Sequence, residues 1–95
     1  MKLLRFYSLI PNDKPEWLLR LQMDISQRYS FQAMEDTKED WERLKADVDA
    51  WILELHHLRG MKVRSNIESA LVIDNGKTVL HIRRNNKVVQ IYYLQ

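Results

Sequence analysis

ALVIDNGKTVLHIRRNNKVVQIYYL, residues 70–94, is the stretch that decides the fold. Three runs rich in β-branched and aromatic residues are separated by Asn75-Gly76 and Asn85-Asn86. Asn-Gly between apolar runs is a strong hairpin signal, because both residues accept positive φ and fit the type I′ turn that matches strand twist. Asn85-Asn86 has a similar tolerance. The stretch reads as a three-stranded antiparallel meander over residues 70–74, 77–84 and 87–94.

Counting outward from two two-residue turns gives a register. Asp74 faces Lys77, Ile73 faces Thr78 and Leu71 faces Leu80. In the second hairpin Arg84 faces Lys87, Ile82 faces Val89, Leu80 faces Ile91 and Thr78 faces Tyr93. One face then collects Leu71, Ile73, Leu80, Ile82, Val89, Ile91 and Tyr93, and is expected to take the core. The other collects Glu68, Val72, Val79, His81, Arg83, Val88, Gln90 and Tyr92. A slip of one residue would exchange the two sets.

Upstream the period changes. Met34, Thr37, Trp41, Leu44, Val48, Trp51, Leu55 and Leu58 recur at alternating gaps of three and four, one stripe of a helix over residues 36–59. Asp36 with Glu39, and Thr37 with Asp40, have capping-box spacing. Gly60 supplies a residue able to turn left-handed after the helix. Ile52 and Leu53 widen the stripe toward two neighbours. A shorter helix over residues 14–30 carries Leu18, Leu21, Ile25 and Tyr29 on one side, with Trp17, Leu19 and Met23 beside them. The short connection between the helices implies an antiparallel hairpin. Residues 2–10 form a strand with apolar positions on both sides, expected inside the sheet. Residues 61–69 read as extended, with Val63 and Ile67 as candidate core. The fold expected is α+β, one domain over residues 1–95, in the order β-α-α-β-β-β with the helices on one sheet face.

Composition sets the remaining bounds. The chain has no cysteine, which excludes disulfides and thiolate metal sites. No apolar run has the length of a membrane span, and the first residues lack a signal-peptide pattern; a cytoplasmic setting and no membrane partner are expected. Charge is unevenly distributed. Residues 1–59 carry 9 Lys and Arg against 11 Asp and Glu, while residues 60–95 carry 6 against 2. Acids therefore gather on the long helix and bases on the meander.

Catalytic constellations are missing from the pattern. His56 and His57 are adjacent and point about 100° apart on a helix, so they do not share a metal as i and i+4 histidines do. No serine lies in a glycine-flanked elbow, and Gly60 and Gly76 are too far apart to form a phosphate-cradling loop. No metal and no cofactor is expected. The candidate binding surface is the second face of the meander, with Tyr92, His81, Arg83, Gln90 and Val79, joined by Arg84 at the turn. The leading expectation is a small non-enzymatic binding or regulatory protein, acting through that face or the acidic long helix. A homodimer through Trp41, Leu44, Val48 and Trp51 is a further expectation for the helix seam.

The order of a strand, a helical hairpin and an antiparallel meander resembles that of the RelE/ParE-like toxins. The positions that would correspond to the basic and aromatic residues of late strands there are His81, Arg83, Arg84, Tyr92 and Tyr93. The resemblance implies the alternative function, a nucleic-acid-directed module such as an endoribonuclease toxin; the acidic helices depart from it.

Overall fold

Six elements run in the order β1 (Leu4–Ser8), α1 (Glu16–Tyr29), α2 (Lys38–Leu55), β2 (Ile67–Asp74), β3 (Lys77–Arg84) and β4 (Lys87–Leu94). They are taken from a computed structural model that describes residues 2–29 and 33–95. The expected helix end at residue 30, and part of the connection to the long helix, lie outside the described residues. The four strands form one antiparallel sheet in the order β1-β4-β3-β2. Both helices cover one side of it, which is the expected α+β arrangement. Among the described residues, however, β1 pairs only with β4 and forms an edge, not the interior strand its apolar content suggested.

The helices form where apolar side chains recur. On α1, Trp17, Leu18, Leu21, Ile25 and Tyr29 are buried, and on α2 Trp41, Leu44, Val48, Ile52 and Leu55. Each large apolar side chain removed from water contributes about 1.5–3 kcal/mol. α2 starts at Lys38 because Thr37, with extended backbone, accepts the Asp40 N–H at its hydroxyl (3.2 Å). Asp36 is one residue outside the helix, at φ 61°. Its carboxylate accepts from the Trp41 indole at 2.7 Å and from Lys2 at 3.2 Å. The helix ends at Leu55, earlier than expected. Residues 56–60 make turns of the 3₁₀ type, His57 to Glu54 and Leu58 to Leu55, before Gly60 reverses the chain at φ 85°. On α1 the Pro15 carbonyl accepts the N–H groups of Leu18 and Leu19 at 3.0 and 3.3 Å.

The expected dimer seam is consumed inside one chain. Trp41, Leu44 and Val48 are core residues packed with α1 and the sheet. Trp51 is half-buried, and Ile52 takes the buried position instead. Leu53 faces solvent.

The first hairpin has the expected register throughout, from Ile67 opposite Arg84 to Asp74 opposite Lys77. Asn75 and Gly76 turn it at φ 51° and 77°. The second starts as expected, with Arg84 opposite Lys87 across Asn85 and Asn86 at φ 51° and 67°. It then changes phase. Val88 faces Arg83 but Gln90, not Val89, faces Ile82. Val89 is an extra residue, a β-bulge in which Val89 and Gln90 oppose one residue of β3. Val89 and Gln90 both end up buried.

Every side chain of β4 beyond the bulge is therefore on the opposite face from that expected. Leu80 pairs with Tyr92 and His81 with Ile91. Gln90 is 0% exposed and Tyr92 1%, beneath the helices with Leu80 and Ile82. Ile91 and Tyr93, expected as core, lie on the helix-free face. Ile73, also expected as core, is 70% exposed near the turn. Ile67 is buried as expected, and Val63 packs against the core.

Candidate functional site

The sheet has one face without helices, and alternation along each strand places its residues. β1 contributes Arg5 and Tyr7, and β4 contributes Ile91 and Tyr93. β3 contributes Val79, His81 and Arg83, and β2 contributes Glu68, Ala70 and Val72. The observed pairings join them into rows. Ala70, His81, Ile91 and Tyr7 form one row across all four strands. Val72 pairs with Val79, and Arg5 pairs with Tyr93, in the next. The rings of Tyr7 and Tyr93 approach at 5.9 Å between centroids, inclined at 55°, a geometry aromatic pairs favour.

The centre of this face is apolar and partly sheltered. Val79 is buried although it lies outside the helix-side core, so its neighbours on the open face cover it. Toward the β2–β3 turn the face dips into a concavity of about 440 Å³, walled by Tyr7, Val79, Ile91 and Tyr93 and rimmed by Lys77 and Asp74. The concavity continues to Lys2 and Asp36. The Asp36 carboxyl is held below its ordinary range, first by the Trp41 indole N–H and then by Lys2; burial opposes them. It is a committed anion rather than a free base.

His81 sits in the middle of the face. Its Nδ1 is sealed from solvent and has no hydrogen-bond partner among the described residues. Burial, then the charge of Arg83, lower its pKa below the ordinary histidine value, against the pull of Asp74. The imidazole is therefore neutral at pH 7, and the positive potential of the face comes from Arg5, Lys77 and Arg83.

Of the residues expected to form this surface, Val79, His81 and Arg83 share it. Tyr92 and Gln90 do not. The bulge turns them inward, where the Gln90 amide donates to the Tyr92 hydroxyl at 2.8 Å. Arg84 has the inward alternation at the sheet end, beside the Asn85-Asn86 turn. Tyr7 and Ile91 are surface residues that sequence reasoning missed, and Tyr93, named only through the resemblance and otherwise assigned to the core, joins them. For Ile91 and Tyr93 the only signal was the bulge itself, which leaves no mark in apolar patterning.

A second polar cluster ties α2 to β2. Lys45 Nζ lies 2.7 Å from Asp49 and 3.3 Å from the Ser69 hydroxyl, and Ser69 donates to Asp49. A lysine acting as base toward serine must be neutral. Here Lys45 is ion-paired with Asp49 and the serine proton is held by the carboxylate, so the cluster is a clip between elements. Tyr29 similarly donates to Asp47, joining α1 to α2.

No helix among the described residues is long and apolar enough to cross a membrane. No protein-family model, curated protein or solved structure matches this chain.

Proposed function

We propose that this protein is a non-enzymatic binding module that engages another protein through the helix-free face of its sheet. The observation that supports this reading is the composition of that face: a contiguous centre of Tyr7, Val72, Val79, Ile91 and Tyr93 bordered by Arg5, Lys77 and Arg83. Protein interfaces combine aromatic anchors and arginine with few charges at the centre. The basic border favours a partner segment that brings apolar anchors flanked by carboxylates. Its setting is proposed to be the cytoplasm.

Panning a random-peptide library on the purified chain tests this. Peptides with aromatic and acidic residues are expected, and Ile91→Asp, with unchanged circular dichroism, should abolish their binding. Retention of those peptides by Ile91→Asp would remove the face from consideration.

The second reading is a nucleic-acid-directed role, including an endoribonuclease toxin. It is supported by the placement of His81 and Arg83 on that same face. It requires RNA or DNA binding that falls steeply with salt, weakened by Arg83→Ala, and growth arrest on expression that His81→Ala relieves.

A further inference from the structure

β1 is an edge with an unused side. Leu3 and Gln95 exchange hydrogen bonds at 3.0 and 3.1 Å. By antiparallel alternation Arg5 and Tyr7 bond toward β4, while Leu4, Phe6 and Ser8 point their N–H and C=O groups away from the sheet. Among the described residues no strand meets that side between Leu4 and Ser8. Only Lys2 is engaged there, its carbonyl accepting the Met34 N–H at 3.0 Å. Open edges of this kind template pairing with another strand.

Apart from Arg5, the surroundings of the edge are apolar. The described residues expose seven large apolar side chains, and five flank this edge: Leu3, Tyr7 and Leu9, then Leu19 (48%) and Met23 (53%) on α1. A concavity of about 320 Å³ separates β1 from α1, lined by Leu4, Arg5, Phe6, Ile25, Ser26 and Tyr29, so that Arg5 is its one charged wall residue. At about 100° per residue, Leu19, Gln22 and Met23 share the Ser26 side of α1, toward β1. None of these four is charged, in a chain that is 29% charged. Charge depletion marks the centre of an interface. The Gln22 Oε1 is also buried there without a hydrogen-bond partner among the described residues.

We infer that β1 pairs antiparallel with β1 of a second copy, about a two-fold axis through Phe6, and that the two α1 flanks meet on the helix side of the joined sheet. In this register Leu4 is opposite Ser8 of the second copy, and Arg5 is opposite its Tyr7. The guanidinium then meets an aromatic ring, a favourable cation–π pair. An axis through Arg5 would set two arginines against each other. An axis through Tyr7 would draw in Ile10, whose N–H already bonds the Ser8 hydroxyl at 3.3 Å. The ladder stops at Lys2 because Met34 occupies it. It supplies about six backbone hydrogen bonds. With the five half-exposed side chains of each copy, the contact removes on the order of 1,000 Å² in total, the threshold of a specific interface.

Sedimentation and cysteine cross-linking test the assembly. The full chain should show a concentration-dependent mass rising to twice 11.5 kDa. Leu19→Lys with Met23→Lys, both exposed and outside the core, should return it to one chain mass with unchanged circular dichroism. The chain contains no cysteine, so Arg5→Cys mixed with Tyr7→Cys should form a disulfide-linked pair, and either variant alone should not. A single-chain mass at all concentrations overturns the inference. So does a dimer that persists in the double-lysine variant, or Arg5→Cys cross-linking with itself as fast as with Tyr7→Cys.

Discussion

The Gln90–Tyr92 pair beneath the helices allows a double-mutant test of the bulge. The Gln90 amide nitrogen donates to the Tyr92 hydroxyl at 2.8 Å, while its Oε1 is buried with no partner among the described residues. Tyr92→Phe removes the acceptor and leaves both ends of the amide unpaired, at a cost of about 1–3 kcal/mol. Gln90→Leu removes the orphaned oxygen but leaves the Tyr92 hydroxyl unpaired. These effects are similar in size and opposite in sign, so stability should change by less than about 1 kcal/mol. Gln90→Leu with Tyr92→Phe removes every polar atom at the site and should stabilise the protein by about 1–3 kcal/mol. Urea unfolding followed by tryptophan fluorescence gives the four midpoints; in thermal melts each kcal/mol corresponds to about 4–8 °C. The expected order is double variant first, wild type and Gln90→Leu together, Tyr92→Phe last. A double variant less stable than wild type, or Tyr92→Phe with an unchanged midpoint, would refute the reasoning. If β4 had no bulge, both residues would sit on the open face and all four midpoints would coincide.

Thr37→Ala removes the α2 cap and should lower unfolding free energy by about 0.5–2 kcal/mol in denaturant melts. Gly76→Ala should cost about 1 kcal/mol in the same assay. A methyl there meets nothing within 4 Å, so only the backbone at φ 77° resists it. The Tyr29 phenol is pushed from 10.0 up to about 12, first by burial, then by its hydrogen bond to Asp47 and that carboxylate's charge. A raised folded pKa contributes stability that is whole below pH 10 and is lost as pH rises through 12. Ultraviolet titration should find two late phenols, Tyr29 and the still higher buried Tyr92; Tyr29→Phe should remove the lower of the two and flatten the stability profile across that window.

Element order was legible because each signal was local. Asn75-Gly76 specified its turn through two residues, and the hairpin it closes has the expected register. The seam from Trp41 to Leu55 located α2, and Thr37 with Asp40 marked its start. The phase of β4 was not legible, because Val88 and Val89 are chemically equivalent. Either can serve as the paired residue, and the choice is made by how Gln90 and Tyr92 fit under α1 and α2. That choice moved Tyr92 and Gln90 off the candidate surface and brought Ile91 and Tyr93 onto it. Val79, His81 and Arg83 lie on β3, before the bulge, and stayed on their expected face. The edge position of β1 depended on which neighbour β4 took, a tertiary matter on which alternation is silent.

The extra residue at Val89 also bears on how this chain can change in length. Beyond it, Gln90–Tyr92 is held from both sides, by Phe6–Ser8 and by Leu80–Ile82. Loss of one codon between Lys87 and Val89 would take up existing slack without moving the clamped half of the strand. Loss of one codon inside β3 would throw both of its neighbours out of step at once. Length variants that still fold should therefore accumulate at this single point of the sheet.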